Sequence, residues 1–529
     1  MAPVPRALAP LVLAVVVAAT VTTAADAAER VLRIALNTDI RGTNPGVNRD
    51  ANTDAVLHHV VESLVAYGED LEIEPVLASA WEVRDAGRTW VFTLREGLLF
   101  HNGRPVTSRE VRWSFERYLD PATRWQCRSW FVAGEGADDG SPSVIEAIET
   151  PDERTVIFRL AEPSTLFLDR LANVQCVPAV LHPESVAADG RWLAPVGTGP
   201  WRLAEWRPGE YADLVRFEEY RPRGDGVDGL AGRKEAHAHR LRFLVSPDPA
   251  ATKAALLAGH IDIFHSIPMT AIEDFRNAAT TVVVQSPTLS WSALLLQTRD
   301  PLLSDVRIRR AIAHAVDRRM IVDFNTNGYA SVNSSAVPVS ASAHTAVHDE
   351  WYAPDVEAAR ELLRQAGYDG EPVRIQANRK YDNMYANAVV IQAMLHAAGM
   401  NAHIDVMDWA AQLANYYSGN FQLSSFSFTA QATPLLRYLK LIGNKDERPV
   451  YLWEQPEAQA LLSRAIATFD GDEKRRLYEE LHLLMKDHVP IIGLYNANYA
   501  AAVGRDIEGY TPWPLMIPRL WGVRKASWD

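Results

Sequence analysis

Cysteine is scarce in this chain, and long apolar segments are missing after its first residues. Cys127 and Cys176 are the only cysteines among 529 residues. A bacterial lipid anchor needs a cysteine just after the signal sequence, and neither position qualifies. Beyond residue 27, no apolar stretch approaches the ~18 to 20 residues with which a helix spans a bilayer. The mature chain is therefore expected to be soluble and not a lipoprotein.

The chain also lacks an excess of basic over acidic residues and the common sequence motifs of hydrolases. Lysine and arginine total 53 against 66 acidic residues, and the resulting net charge of -13 argues against nucleic acid as a partner. The sequence contains neither a G-x-S-x-G elbow nor an H-E-x-x-H helix. An exported hydrolase stays as an alternative only because a catalytic carboxylate pair cannot be recognised among so many acidic residues. With 48% hydrophobic residues, the composition predicts a globular protein with two or more core-bearing units.

The first 27 residues are typical of a cleaved signal peptide. Arg6 precedes an apolar stretch from Leu8 to Val21, and Ala25-Asp26-Ala27 offers the small residues of a cleavage site. A membrane anchor is the alternative, but the apolar stretch is shorter than a membrane span. We therefore expect export to the periplasm.

In an exported chain, Cys127 and Cys176 are permitted to form a disulfide. Closing a loop of about 50 residues would contribute about 3 to 4 kcal/mol. Two buried free thiols are the alternative.

Hydrophobic periodicity predicts strands in the first part of the chain. Residues 31–38 and 89–95 alternate apolar and polar side chains, the latter in a hairpin with the preceding Trp81–Val83. Thr107 or Ser108 is expected to cap the next helix. The cluster Gly197-Thr198-Gly199-Pro200-Trp201 suggests a point where the chain crosses between two structural units.

From about Ser290, long helices alternate with short strands, which indicates an α/β unit. A helix over 355–366 is expected to end at Gly367. Strand 372–376, helix 384–398 and strand 403–407 form a βαβ unit, whose strands should be parallel neighbours.

Four segments in this order resemble family 5 of the bacterial extracellular solute-binding proteins, the peptide- and nickel-binding type. They are TWVFTLREGLLFHNGRPVTSREVRWSFER from Thr89, GTGPWRLAEWRPGEYADLVRF from Gly197, LLAGHIDIFHSIP from Leu256 and DVRIRRAIAHAVDRRMIV from Asp305. The resemblance implies an α/β fold of the type II periplasmic-binding-protein class, with two lobes joined by a two-crossing hinge. Lobe I would comprise residues 28–292 plus 496–529, with an extra subdomain inserted at 72–196, and lobe II residues 293–495.

The resemblance also implies the function. The protein would be the substrate-binding component of an ABC importer, a monomer without cofactor or catalytic activity that delivers a small solute to the permease subunits. A signalling receptor would share the same residues. A nickel-chelate binder is the nearest rival, but adjacent His58 and His59 diverge by ~100° on a helix. The pair His237 and His239 lies beside a polar loop, where histidines are commonly solvated.

Peptide-binding relatives hold the ligand's α-ammonium with an aspartate shortly after a buried strand of lobe II. Aligning Trp409 and Gly419-Asn420-Phe421 places Gln431 at that position. A neutral amide cannot supply the charge-assisted bond that a desolvated ammonium needs. We therefore expect a peptide-like ligand that depends less on a free amine, such as a modified or sugar-linked amino compound.

The remaining candidate contacts also follow from the resemblance. Aromatic residues of the segment from Met407 are able to stack on a ligand, with core packing as the alternative for all of them. Packing is favoured for Phe421, Phe426 and Phe428 and ligand contact for Trp409 and Tyr417, while an exposed loop is the alternative for Arg41. The complete set of candidate ligand contacts is Thr38, Asp39, Arg41, Asn44, Gly197, Thr198, Trp409, Tyr416, Tyr417, Phe428, Gln431 and Tyr495.

Overall fold

The structure is a computed structural model that describes residues 29–132, 143–224 and 226–528. The predicted signal peptide, residues 1–27, lies outside the described residues.

The strands of the described ranges, in chain order, are β1 (Val31–Leu36), β2 (Val65–Tyr67), β3 (Ile73–Pro75), β4 (Ala78–Arg84), β5 (Thr89–Leu94), β6 (Ile145–Glu149), β7 (Thr155–Leu160), β8 (Trp201–Arg207), β9 (Tyr211–Arg216), β10 (Arg240–Val245), β11 (Ile263–Phe264), β12 (Thr281–Pro287), β13 (Trp291–Leu296), β14 (Ser331–Val332), β15 (Pro372–Ala377), β16 (Asn401–Val406), β17 (Leu423–Phe428), β18 (Ile491–Asn496), β19 (Asn498–Gly504), β20 (Ile507–Glu508) and β21 (Arg524–Lys525).

The α-helices of the same ranges are α1 (Ala51–Leu57), α2 (Ser108–Leu119), α3 (Leu166–Leu171), α4 (Pro249–Leu257), α5 (Ile272–Arg276), α6 (Val306–Ala315), α7 (Arg318–Thr326), α8 (Val356–Ala366), α9 (Asp382–Ala397), α10 (Trp409–Ser418), α11 (Pro434–Leu441), α12 (Pro456–Ala467) and α13 (Gly471–His488).

Three sheets organise the molecule. The first sheet has the strand order β12-β19-β11-β1-β10-β9-β8, and the second sheet has the order β14-β18-β13-β17-β15-β16. The inserted sheet, β4-β5-β7-β6, comes from the chain between β1 and β8. Helices alternate with the strands of the second sheet, which is the α/β pattern expected from the sequence.

Local sequence signals explain where several elements begin and end. Thr107 caps α2 in a capping box with Glu110, whose carboxylate accepts a bond from the Thr107 backbone N–H at 2.9 Å. Gly367 closes α8 with φ of 75°, a conformation that costs glycine little. The predicted βαβ unit is confirmed, since β15 and β16 pair in parallel around α9.

The chain crosses between the first and second sheets at two places. Residues 288–290 join β12 to β13, and Ala497 alone joins β18 to β19. The sequence interpretation of the Gly197 cluster as a crossing point is wrong, because β8 begins at Trp201 within the first sheet. Glycine is needed there for close packing instead, since a Cβ on Gly197 would lie 2.3 Å from the carbonyl oxygen of Val60.

Both large sheets carry apolar side chains on two faces. One large cluster packs the first sheet together with the inserted sheet, so Ile34 and Phe92 belong to the same core. The second sheet is covered on one face around Ile312 and Leu395, and on the other around Trp291 and Tyr438. The inserted sheet is thus fused to the first sheet by a common core.

Cys127 and Cys176 form a disulfide, with their Cα atoms 6.1 Å apart. The bond joins the segment after α2 to the loop after α3, and both cysteines are buried in the core that the inserted sheet shares with the first sheet.

Replacing both cysteines by serine should destabilise the inserted subdomain. The cross-link limits the entropy of the unfolded chain, and its loss is expected to lower the free energy of unfolding by about 3 kcal/mol. Urea unfolding of the oxidised protein and of the C127S/C176S variant measures the difference. A midpoint that is unchanged by the double substitution and by reductant would contradict a stabilising role for the bond.

Candidate functional site

The carboxyl edges of the two large sheets face each other at the two crossings, and the space between these edges is called the cleft. In the second sheet β15, β16 and β17 run parallel, and β17 and β18 are both antiparallel to β13. Because a single residue leads from β18 into β19 of the first sheet, this carboxyl edge faces the first sheet. Ligands of open α/β sheets bind outside the carboxyl ends of the strands, so this edge is the candidate site.

Backbone and side-chain hydrogen bonds tie the two crossings together. The Thr288 backbone N–H and hydroxyl both donate to the Ala497 carbonyl, at 2.9 and 2.8 Å. The Asn496 amide donates to the Ser290 carbonyl at 2.7 Å and accepts a bond from Asn333 at 2.8 Å. The two crossings therefore form one connected unit beside the cleft.

The loop after β1 borders the cleft and is held by its own polar residues. Asp39 accepts bonds from the Trp206 indole at 3.1 Å and the Gly209 backbone N–H at 2.7 Å. Asn44 accepts a bond from Arg117 at 3.1 Å, while exposed Arg41 donates to Asn48 at 3.1 Å.

Thr38, in the same loop, is exposed and accepts a bond from Asn52 at 2.7 Å. The carboxylate of Asp39 is thus committed to anchoring the loop, whereas Thr38 and Arg41 present exposed side chains.

Gly197 and Thr198 lie within the core of the first sheet. Thr198 is 2% exposed, and its hydroxyl donates to the Glu62 carboxylate at 3.1 Å. The same carboxylate pairs with Lys234 at 2.9 Å, and both side chains are buried. Thr198 therefore belongs to an internal polar network.

Aromatic residues of α10 and β17 form a connected cluster at the edge of the second sheet. The ring of Tyr416 stacks on Phe426 with centroids 4.8 Å apart, and Phe426 lies 5.2 Å from Phe428. Trp409 is half-buried and lies 5.6 Å from Phe426, and Tyr417 is 60% exposed. Trp409 and Tyr417 are the members that offer surface to a ligand, whereas Tyr416 and Phe428 are buried.

Gln431 lies in the loop between β17 and α11, at the carboxyl edge of the second sheet. The residue is 6% exposed, and no hydrogen bond joins its side-chain amide to another described residue, although the amide atoms are not among the fully buried partnerless atoms. A largely buried amide normally has a partner. Gln431 is therefore the predicted contact whose hydrogen-bonding capacity is most clearly available to a ligand.

Tyr495 has a different environment from the one expected of a hinge contact. Its side chain is 1% exposed, and its hydroxyl exchanges bonds with the amide of Asn387 on α9 at 3.2 Å. This places Tyr495 in the core beneath α9.

Sequence reasoning missed Arg437, a buried arginine beside the cleft. It lies on α11, and its Nη2 donates to the carbonyl oxygens of Leu289 at 2.8 Å and Thr429 at 3.3 Å. A signal was present, because Pro434, Arg437, Tyr438 and Leu441 follow the i, i+3, i+4, i+7 spacing of a buried helix stripe. A charged side chain is unusual on the buried face of a helix.

A cavity of about 490 Å³ adjoins the loop of Gln431 and was also missed. It lies between the inserted sheet and α13, with Trp90, Thr433 and Tyr478 among its lining residues. Asp169 faces Lys474 across it and accepts a bond from the Tyr67 hydroxyl at 3.1 Å.

Burial raises the pKa of Asp169 to about 6, because the low-polarity surroundings disfavour the charged form. The size of the cavity is within the range of small-molecule sites.

The histidines that suggested a metal serve internal structure. His58 Nε2 lies 2.8 Å from the Val174 carbonyl and His59 Nδ1 lies 2.9 Å from the Ala55 carbonyl. Burial lowers the pKa of His58 to about 4 and that of His59 to about 3. Among the residues that the structure describes, no group of three or more histidine, cysteine or acidic side chains is arranged to hold a metal ion.

The described part of the chain likewise contains no helix with the length and apolar character of a membrane span.

Two α/β sheets with a double crossing and a cleft between their carboxyl edges define a bilobal binding protein. Residues 72–448 match the family described as bacterial extracellular solute-binding proteins, family 5. The match covers more than half of the chain, and the chain belongs to this family.

Named relatives agree with the family assignment. The chain is 24% identical over 493 residues to the probable D,D-dipeptide-binding periplasmic protein DdpA of Escherichia coli, covering 90% of each chain. It is 30% identical over 353 residues to a putative ABC transporter peptide-binding protein of Brucella ovis, covering 64% of this chain and 62% of the relative.

Among solved structures, the binding protein AgaA of A. tumefaciens R10 in complex with agropinic acid is similar, with a TM-score of 0.74 and 26% identity over 94% of this chain and 98% of the other. The type II fold and the resemblance to family 5 are thereby confirmed. The protein is a solute-binding component of an ABC importer.

Proposed function

We propose that this protein is exported through its cleaved signal peptide and acts in the periplasm as a free, monomeric receptor. Two lobes, residues 28–292 with 496–529 and residues 293–495, would close on a solute by bending at residues 288–290 and 497. Closure removes water from the solute, so that each of its polar groups needs a partner in the cleft. The closed complex then delivers the solute to the permease without chemical change.

We propose a peptide-like or modified amino compound as the solute, bound without dependence on a free α-ammonium. The observation that carries this proposal is Gln431, a largely buried and unpaired amide at the carboxyl edge of the second sheet. An amide supports neutral hydrogen-bonding groups but does not compensate a buried ammonium charge. A dipeptide and agropinic acid, the compounds named for two relatives, support a small organic solute.

Thermal unfolding with matched compounds tests this proposal. Amino compounds whose amine is acylated or linked to a sugar are expected to raise the unfolding temperature, because a ligand bound only to the folded state stabilises it by about 2.7 kcal/mol at one hundred times Kd. Unmodified di- to pentapeptides should raise it much less. Tight binding of the unmodified peptides, or consumption of any bound compound, would refute the proposal.

Native mass spectrometry of protein isolated from the periplasmic fraction tests export and stoichiometry together. The expected species is a monomer that lacks about the first 27 residues and carries one solute molecule. A mass that retains the N-terminal segment would contradict cleavage.

A further inference from the structure

The guanidinium of Arg437 is buried without a counter-ion. The residue is 1% exposed, and its Nε and Nη1 atoms have no hydrogen-bond partner. Nη2 alone is bonded, to the Leu289 and Thr429 carbonyls. The rings of Trp291 and Phe428 lie 5.7 and 5.5 Å from the guanidinium carbon, and no described carboxylate forms an ion pair with it.

A second buried arginine of the same lobe shows how the fold completes a purely structural site. Arg309 is 7% exposed, and all three of its guanidinium nitrogens donate to carbonyls. The His488 carbonyl accepts from Nε and Nη2, at 2.9 and 2.6 Å, and the Leu303 carbonyl accepts from Nη1 at 2.7 Å. Arg309 therefore needs no further partner, whereas two of the three nitrogens of Arg437 do.

An unpaired buried cation is costly, and aromatic rings compensate it only in part. Burial lowers the pKa of Arg437 to about 9, so the group stays protonated at neutral pH. The buried charge has no described carboxylate to compensate it, so a bound anion would stabilise it.

The position of Arg437 connects this missing anion with the cleft. Leu289 belongs to a hinge crossing, and Thr429 is the first residue after β17, two positions before Gln431. Both carbonyls that hold the guanidinium therefore lie at the carboxyl edge that faces the first sheet. The Leu289 carbonyl belongs to the crossing, so a movement of the crossing would move one of the two groups that hold the guanidinium.

We propose that Arg437 binds a carboxylate of the solute, so that the protein selects acidic amino compounds. The free Nε–H and Nη1–H groups can each donate a charge-assisted hydrogen bond to a carboxylate oxygen, while Nη2 stays bonded to the Leu289 and Thr429 carbonyls. The inference rests on the proposed function and specifies the solute class of the same cleft. Gln431 then meets a neutral part of the solute, and Arg437 meets its acidic end.

Capture from a complex mixture, before and after carboxylate methylation, tests the assignment. Ligand-stripped protein is incubated with a low-molecular-mass extract of rich growth medium, either untreated or treated with acidic methanol, and bound species are counted by native mass spectrometry. We expect one solute per chain from the untreated extract and at least a ten-fold lower occupancy from the methylated extract. The captured compounds are then released from the protein and treated with acidic methanol. Each should gain the mass of one or more methyl groups, which identifies it as an acid.

Variants assign the effect to Arg437. R437Q should lower the capture of acids at least ten-fold, R437K should retain part of it, and R309Q should capture acids as the unmodified protein does. Equal capture from both extracts, or unchanged capture of acids by R437Q, would overturn the inference and leave the proposed function standing. No capture at all by the unmodified protein would contradict the proposed function itself. If R437Q does not fold, the methylation comparison on the unmodified protein decides.

Discussion

Gln431→Asp should convert the protein into a receptor for unmodified peptides. The new carboxylate lies at the carboxyl edge of the second sheet and supplies the charge-assisted bond that a buried ammonium lacks in the natural protein. An unpaired charge in such a place costs about 2 to 5 kcal/mol, so the affinity for a free-amine dipeptide should rise by about 30-fold at the least. Isothermal titration with a dipeptide and its N-acetylated form measures the gain, which should be confined to the free amine.

Two further variants define the origin of that gain. Gln431→Asn keeps a neutral amide and should bind the free-amine dipeptide no better than the natural protein does. Q431D combined with R437Q shows whether the new carboxylate pairs with Arg437 instead of with the ligand, because the free-amine gain would then emerge only in the double variant. An equal gain for the acetylated dipeptide would mean that Gln431 does not face the amine end of the ligand.

Lys234→Met should be the most destabilising of these substitutions. The Lys234 ammonium lies 2.9 Å from the Glu62 carboxylate, and both side chains are at most 5% exposed. Without Lys234, the carboxylate retains only the hydroxyl groups of Tyr220 at 3.0 Å and Thr198 at 3.1 Å. Removing one partner of a buried ion pair costs about 3 to 5 kcal/mol, because the remaining charge stays buried. Urea unfolding followed by tryptophan fluorescence measures the loss.

Two control variants show whether the loss of stability comes from leaving a charge buried or from removing an ion pair of any kind. Glu62→Gln in the K234M background removes the orphaned charge and should restore part of the stability. Arg360→Met breaks an exposed pair with Glu357 and should change the free energy of unfolding by less than about 1 kcal/mol. A K234M variant as stable as the natural protein would show that the buried ion pair does not stabilise the fold.

Thr198 was predicted as a ligand contact, and the same variants test whether it belongs to a structural network instead. If the network of Glu62 and Lys234 is structural, substitutions in it should change unfolding but leave solute affinity unaltered at temperatures where the protein is folded. Residues of the cleft, such as Gln431, should behave in the opposite way. The free energy of unfolding and the solute affinity, measured together, therefore distinguish a buried polar network from a ligand contact. Position in the sequence alone does not make this distinction.

Local pattern was sufficient for many elements. The cap at Thr107, the stop at Gly367 and the parallel unit β15-α9-β16 depend on side chains within a few residues of one another, and the structure confirms each of them. Four ordered segments sufficed for the family, because a family profile depends on many positions at once. Such information is present along the chain before any long-range contact forms.

Contacts between distant parts of the chain decided the site. The Gly197 cluster has the composition of a crossing, yet Val60 lies against it and keeps it inside the first sheet. Tyr495 falls near the hinge in the sequence, yet Asn387 holds its hydroxyl in a core. Neither partner is adjacent in the sequence, so neither environment was visible there.

By itself, the sequence determined the cap at Thr107, the stop at Gly367, the parallel unit β15-α9-β16, the family and the absence of an aspartate at position 431, because these follow from residue identity and short-range spacing. Only the tertiary structure decided which polar groups are already paired. Asp39 and Thr198 have internal partners, whereas Arg437 has two buried nitrogens without a partner. Hydrogen bonding and desolvation depend on neighbours brought together by folding, and a binding site consists of the groups that those neighbours leave unsatisfied.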